Sequence, residues 1–144
     1  MTMHDKNSDP LRILLIDDSP QSLKLVKRML HDQGITQVFT AKNGVEGLNL
    51  LGSFDGEDIV DLVLCDWNMP EMDGMELLRQ IRSADPDLMF IMVTGNADYS
   101  SVAEAKAFGV NGFIKKPFSP DELNRKLKVA SRVISHRKLE AAAL

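Results

Sequence analysis

Residues 61–66 read Asp-Leu-Val-Leu-Cys-Asp, an unbroken apolar run that is closed by an acidic residue. Three other runs have this character and end in polar residues: 13–16 before Asp17-Asp18, 88–93 before Thr94, and 112–115 before Lys116-Pro117. A shorter run, residues 37–40, is a fifth candidate. Runs without polar alternation are typical of strands that are buried on both faces, as in parallel sheets.

Helix-length segments separate these runs, and most of them open at a capping residue. Ser19-Pro20 and Ser119-Pro120 each combine an N-cap with a proline at the first helical position. Three further starts are indicated by Asn43-Gly44, by Asp73, and by Asp98 or Ser100. Strands and helices therefore alternate about five times, which predicts one doubly wound α/β domain with a parallel sheet.

The composition is that of an ordinary globular domain. The chain has 144 residues, of which 44% are hydrophobic and 26% charged, with a net charge of -4. Cys65 is the only cysteine, which excludes an internal disulfide framework and favours the reducing cytoplasm. No apolar run approaches the ~18 residues of a membrane span, and no dense basic block predicts nucleic-acid binding. Residues 1–10 lack the apolar core of a signal peptide and are expected to form a flexible leader.

Five polar residues follow or end four of the predicted strands: Asp17, Asp18, Asp66, Thr94 and Lys116. In open parallel sheets, ligands bind at the carboxyl ends of the strands, where the strand order reverses. We therefore expect these side chains to meet at one edge of the sheet. Each of them alone could be a turn, a cap or a solvated residue. Three acids, a hydroxyl and an amine in this order indicate a functional site.

The chemistry of this set favours phosphoryl transfer. Neighbouring carboxylates raise one another's proton affinity unless a cation intervenes. A pocket of oxygen ligands without His or Cys favours a hard ion, Mg²⁺, with Mn²⁺ as the alternative. A metal, an amine and a hydroxyl can together hold the peripheral oxygens of a phosphoryl group. Because a carboxylate is a competent nucleophile toward phosphorus, the set predicts an aspartyl phosphate.

The chain resembles the receiver domains of two-component response regulators. The matching segments occur in the family's order and spacing: 16–18 (Ile-Asp-Asp), 65–70 (Cys-Asp-Trp-Asn-Met-Pro), 72–74 (Met-Asp-Gly), 93–95 (Val-Thr-Gly) and 115–118 (Lys-Lys-Pro-Phe). The resemblance implies a flavodoxin-like (βα)5 fold with a five-stranded parallel sheet, and a single receiver domain over residues 11–134. Residues 135–144 would be a helix extension, a linker or residues added for expression.

The resemblance also implies how the acidic residues are used. Asp66 would accept the phosphoryl group and also contact the metal. Asp18 would bind Mg²⁺ directly, and Asp17 would hold it largely through water. Asn68 would contribute its backbone carbonyl to the metal, and its side chain would tune the rate of dephosphorylation.

Five further roles follow from the same resemblance. Thr94 and Lys116 would each bind a phosphoryl oxygen, and Pro117 would follow a cis peptide bond. Phe113 would act as the switch residue together with Thr94, although it lacks the hydroxyl of the tyrosine often found at that position. Asn96 would be a second residue that tunes dephosphorylation.

The implied partners are proteins. A histidine kinase or a histidine phosphotransfer protein would donate the phosphoryl group, and a protein effector or a fused output domain would receive the signal. The domain would bind no nucleic acid, insert in no membrane, be monomeric or weakly dimeric when phosphorylated, and be no enzyme beyond its own phosphorylation and dephosphorylation. Its location would be cytoplasmic.

Two alternatives stay open at the level of sequence. One is an aspartyl phosphatase of the haloacid dehalogenase type, in which the nucleophile ends the first strand and an acid follows two residues later. Here the paired acids end the first strand, and Asn68 stands two residues after Asp66. The other alternative is a receiver-like module that docks to partners without phosphorylation. A flavin or dinucleotide protein is less favoured, because no glycine-rich loop follows the first strand.

Overall fold

The computed structural model describes residues 11–53, 60–95 and 98–143 of the chain. Strands and helices alternate along it in the order β1 (Arg12–Ile16), α1 (Pro20–Asp32), β2 (Gln37–Ala41), α2 (Gly44–Ser53), β3 (Leu62–Asp66), α3 (Gly74–Ala84), β4 (Met89–Thr94), α4 (Tyr99–Ala107), β5 (Gly112–Lys115) and α5 (Pro120–Ala142). All strand pairs are parallel, in the order β2-β1-β3-β4-β5. This confirms the flavodoxin-like (βα)5 fold.

The register of the sheet brings the ends of four strands to one edge. Ile16 of β1 lies beside Cys65 of β3, and Asp66 lies beside Val93 of β4. Thr94, the last residue of β4, pairs with Lys115 of β5. The polar residues that end or follow these strands are therefore neighbours in space.

Helices cover both faces of the sheet, which is why its central strands are almost entirely apolar. Every residue of β3 and of β4 is buried. Successive strand residues point to opposite faces. Leu14 and Val63 pack in one cluster with Leu77 of α3, and the other cluster collects these side chains: Ile13, Leu62, Leu30 of α1 and Leu123 of α5.

Side-chain caps set the starts of the helices. Ser19 Oγ accepts a hydrogen bond from the Ser22 amide at 3.2 Å, and Ser119 Oγ accepts one from the Glu122 amide at 3.1 Å. Asp98 begins α4, because its carboxylate accepts from the Ser101 amide at 2.7 Å. Each cap satisfies an amide that has no partner within the helix.

The last helix, α5, runs for 23 residues to Ala142. Its final turns contact the edge of the sheet opposite to the polar strand ends. Lys138 Nζ lies 3.2 Å from Asp61 Oδ1, and Arg137 donates to the carbonyl of Asp87 at 2.6 Å. Asp61 also accepts from the backbone amide and the guanidinium of Arg12.

Within the ranges that the structure describes, no helix combines the length and the apolar character that crossing a bilayer requires.

Candidate functional site

Three carboxylates gather where β1 and β3 end. Asp17 and Asp18 follow β1, and Asp66 is the last residue of β3. One carboxylate oxygen from each lies within 4.8 Å of the other two. Asp17 and Asp66 are buried, at 4% and 9% exposure, whereas Asp18 is exposed. The sequence expectation that these acids meet agrees with this placement.

Lys116 supplies the positive charge of the cluster. Its Nζ lies 2.9 Å from Asp17 Oδ2 and 3.6 Å from Asp66 Oδ2. The Lys116 amide donates to the Thr94 carbonyl at 2.7 Å, which fixes its backbone against the end of β4. Asp17 Oδ1 accepts from the Ser19 amide at 2.9 Å, so both oxygens of Asp17 have donors.

The pKa values of Asp66 and Lys116 are both raised, for different physical reasons. Burial raises the pKa of Asp66 above its ordinary value, and the charges of Asp17 and Asp18 raise it further. The ammonium of Lys116 and the Asn68 amide oppose this increase without cancelling it. For Lys116, burial alone would lower the pKa, but the hydrogen bond to Asp17 and the charge of Asp66 outweigh burial and raise it.

The ligand atoms of the cluster fit a hard divalent cation. Three carboxylates face a single ammonium, so negative charge is in excess. All of the clustered ligand atoms are carboxylate oxygens, the type that Mg²⁺ prefers. Burial, with a smaller contribution from Asp17 and Asp18, raises the pKa of Asp66, and a bound cation would favour its ionised form. The site therefore has the charge and the ligand chemistry of a magnesium pocket.

Two aromatic rings link the acidic cluster to β5. Trp67 follows Asp66, and its ring stacks on Phe113 with centroids 6.4 Å apart and planes inclined by 20°. The Trp67 amide donates to the Val93 carbonyl at 2.9 Å, which continues the pairing of β3 with β4. The adjacent Thr94 is 1% exposed. The sequence did not predict that Trp67 and Phe113 touch.

The remaining residues singled out in the sequence lie around this cluster. Asn68 is exposed in the loop after Asp66. The peptide bond between Lys116 and Pro117 is cis. Asn96 lies outside the described residues.

Gly74 is a structural requirement of the site that the sequence did not reveal. Its amide donates to the Trp67 carbonyl at 2.8 Å, which ties the start of α3 to the loop after Asp66. A Cβ at this position would stand 2.8 Å from the Asp66 carbonyl oxygen and 2.7 Å from Met92 Sδ. The segment 72–74 (Met-Asp-Gly) matches the receiver family, but only the fold shows that its glycine lies against the backbone of Asp66 and Trp67.

A flavodoxin-like domain with an acidic pocket at the carboxyl ends of its strands is the class of protein that this fold and site define. Residues 13–128 match the model of the response regulator receiver domain. The chain belongs to the response regulator receiver family, and its pocket of Asp17, Asp18 and Asp66 fits the phosphorylation site of a phosphorelay receiver.

Chemotaxis regulators are among the similar proteins. A chemotaxis protein CheY homolog of Campylobacter jejuni is 38% identical over 120 residues, which are 82% of this chain and 90% of that protein. A CheY-like receiver domain from Methanospirillum hungatei superposes with a TM-score of 0.80 at 30% identity, over 90% of this chain and 99% of that one. A response regulator/GGDEF domain protein matches with a TM-score of 0.77 at 28% identity, over 86% of this chain and 50% of that one.

The family match also bears on one of the two alternatives that the sequence left open. It selects the receiver over the haloacid dehalogenase type of phosphatase, whose nucleophile ends the first strand. In this chain the first strand ends before Asp17 and Asp18, and Asp66 ends the third.

Proposed function

We propose that Asp66 accepts a phosphoryl group from the phosphohistidine of a histidine kinase or a histidine phosphotransfer protein. A carboxylate oxygen of Asp66 forms the new P–O bond as the P–N bond to the donor breaks, and the electron pair returns to the imidazole nitrogen. The observation that carries the proposal is Lys116 Nζ bridging Asp17 and Asp66 inside a cluster of three acids.

The metal of this proposal is Mg²⁺, with Mn²⁺ as the alternative. Asp18 would bind it directly and Asp17 largely through water, with Asp66 and the backbone carbonyl of Asn68 as further ligands. When bound, the ion supplies positive charge beside the transferring phosphoryl group. The excess of carboxylate over ammonium in the cluster supports this set of ligands.

Lys116 and Thr94 are proposed to hold the phosphoryl oxygens. Lys116 already lies within ion-pair distance of Asp66, and its ammonium would form a charge-assisted hydrogen bond with the new group. Thr94 ends the strand beside β3 and would donate its hydroxyl. Asn68 and Asn96 would tune the rate at which water removes the phosphoryl group. We expect no turnover of an external substrate beyond this self-directed chemistry.

The signal is proposed to leave the site through Thr94 and Phe113. As Thr94 moves toward the phosphoryl group, Phe113 turns inward and the face formed by α4, β5 and α5 changes shape. To move a population from about 1:99 to 99:1, phosphorylation must favour one state by ~5.5 kcal/mol. One hydrogen bond contributes only ~1 kcal/mol net, so contacts from Lys116, Thr94 and the metal must act together.

The partner that reads this face is proposed to be a protein effector or a fused output domain. The similarity to half of a response regulator/GGDEF domain protein supports a fused arrangement as one of the two forms. The receiver itself would be monomeric or weakly dimeric when phosphorylated. We expect no direct binding of nucleic acid, and the lone buried Cys65 suits the cytoplasm.

Mass spectrometry after incubation with acetyl phosphate and Mg²⁺ tests the central step. We expect the protein to gain the mass of one phosphoryl group and Asp66→Asn to gain none, because the amide cannot attack phosphorus. Asp32→Asn, the same change at an exposed position at the end of α1, is the matched control and should be phosphorylated normally. A wild-type protein that gains no mass under these conditions would instead support a docking module that works without phosphorylation.

A further inference from the structure

Helix α4 is held to the body of the protein by few apolar contacts. Of its residues whose burial the structure describes, only Ala105 is buried, and Ser101 and Val102 are half-buried. By contrast, α3 buries five residues along one face. Since helices in proteins are stabilised mainly by packing of an apolar face, the position of α4 must depend on other contacts.

Arg79 of α3 makes two of these contacts with a single guanidinium. Its Nη2 lies 2.8 Å from Glu104 Oε1, in the middle of α4. Its Cζ lies 4.6 Å from the centre of the Phe108 ring, at the C-cap of α4. Glu76, one turn earlier on α3, lies 3.8 Å from Arg79 Nη1 and helps to orient the side chain. We call the set Arg79, Glu104 and Phe108 the α3–α4 clamp.

A second arginine fixes the chain just beyond α4. Arg82 donates to the Gly109 carbonyl at 3.0 Å and to Asn111 Oδ1 at 2.8 Å. Asn111 is itself paired with Phe90 of β4 through both its backbone amide and its side chain. The turn after α4 is thus tied to the sheet, and the clamp joins the body of α4 to α3.

We propose that Arg79 is a positioning residue that holds α4 in the arrangement that precedes phosphoryl transfer. The clamp coexists with the ion pair between Lys116 and the free carboxylate of Asp66. A shift of α4 relative to α3 separates Arg79 from Glu104 and Phe108. The clamp therefore opposes the change that phosphorylation favours, and this inference rests on the proposed function.

The size of the effect follows from the exposure of the pair. Arg79 and Glu104 have 44% and 49% of their side-chain surface exposed, so the ion pair is weak, and the cation–π contact adds a comparable amount. A contact present in only one of two states changes the apparent affinity of any ligand that selects the other state. We therefore expect loss of the clamp to tighten the binding of a phosphoryl analogue by about three- to tenfold.

Titration with beryllofluoride in the presence of Mg²⁺, followed by Trp67 fluorescence and by NMR of the α4 amides, tests the clamp. Arg79→Ala should bind about three- to tenfold more tightly than the wild type. Glu104→Gln and Phe108→Leu, which each remove one half of the clamp, should give smaller increases, and Arg79→Lys should fall between wild type and Arg79→Ala. Gln80→Ala removes an exposed side chain at the next position of α3, whose amide donates to Glu76 Oε1 at 3.4 Å rather than to a member of the clamp, and should leave the affinity unchanged.

The outcomes separate this inference from the function on which it rests. If the wild type binds beryllofluoride and Arg79→Ala binds it equally or more weakly, Arg79 has only a structural role and the clamp proposal is wrong. A wild type that gives no response in either measurement contradicts the proposed function, and the clamp with it. Higher affinity in Gln80→Ala as well would show a nonspecific loosening of α3, which also overturns the proposal.

Discussion

Two buried aspartates at opposite ends of β3 show how local donors decide the state of a carboxylate. Burial alone would raise the pKa of Asp61, but hydrogen bonds from Arg12 and Lys138 outweigh it and lower that pKa. At Asp66, burial and two acidic neighbours outweigh Lys116, and the pKa rises. The two residues are similarly buried. The charged groups around each carboxylate, two cations at Asp61 and one cation with two acids at Asp66, and not burial, separate the directions of the two pKa shifts.

Replacing Asp61 should weaken the fold in a pH-dependent way. Asp61→Asn leaves Arg12 and Lys138 without their carboxylate, and we expect a loss of about 1–3 kcal/mol in the free energy of unfolding at neutral pH. Because its pKa is lowered in the folded state, the advantage of the wild type is present above the ordinary value of 3.8 and disappears as the pH falls through the folded-state pKa.

Urea unfolding at a series of pH values measures this difference. Lys138→Met is the companion variant, and its cost should stay below about 1 kcal/mol because Lys138 is 44% exposed and Asp61 keeps Arg12. If both variants lost the same free energy of unfolding, the contact of Asp61 with Arg12 would add nothing measurable to stability.

At the scale of elements, α3 connects the acidic cluster to the rest of the molecule. Its first residue, Gly74, bonds to the loop after Asp66, and its middle carries the arginine that holds α4. Its buried face packs against β3 and β4. Because its first residue and its middle both have partners outside the helix, we expect α3 to move as a unit when the loop after Asp66 changes.

A methyl group added at Gly74 should be costly. Gly74→Ala places a Cβ within 3 Å of the Asp66 carbonyl oxygen and of Met92 Sδ, and we expect a loss of about 1–3 kcal/mol in stability together with slower phosphorylation. Gly52→Ala is the matched control, since a Cβ there meets nothing within 4 Å and alanine favours the helix by up to about 1 kcal/mol. Thermal unfolding and phosphorylation by acetyl phosphate read out both variants. A tolerated Gly74→Ala would show that the start of α3 is free to move away from the loop.

At the scale of the whole molecule, we expect the acidic cluster to reduce the stability of the fold when its carboxylates are ionised. The folded state holds three carboxylates against one ammonium, and the raised pKa of Asp66 means that its ionisation opposes folding. Stability from this group is therefore greatest below the ordinary value of 3.8 and falls as the pH rises through the raised folded-state pKa.

Removing one charge from the cluster should consequently stabilise the protein. In buffer without divalent ions, we expect Asp66→Asn to melt a few degrees above the wild type at neutral pH, with the gap closing as the pH is lowered toward 3.8. Millimolar Mg²⁺ should raise the melting temperature of the wild type more than that of the variant. Differential scanning calorimetry with and without Mg²⁺ measures both effects. An Asp66→Asn protein that is less stable at every pH would contradict the electrostatic account of the site.

The sequence predicted the sheet and the location of the site because both depend on short-range patterns. Runs such as 61–66 predict buried strands. A polar residue at the end of such a run is expected at the carboxyl end of a parallel sheet. Contacts between elements distant in sequence were not predictable: Arg12 and Lys138 on Asp61, Arg79 on Glu104, and Trp67 on Phe113. Such pairs depend on the position and rotation of each helix against the sheet, which the hydrophobic periodicity of the sequence does not specify.

The opposed surroundings of Asp61 and Asp66 have a consequence for how partners arrive. The two residues stand about 17 Å apart along one strand, at five residues of ~3.3 Å each. The negative potential at the Asp61 end is quenched by Arg12 and Lys138, while that at the Asp66 end is only partly offset. Of these two carboxylates, Asp66 keeps the larger share of uncompensated charge, so we expect a divalent cation that reaches β3 to be attracted to the Asp66 end.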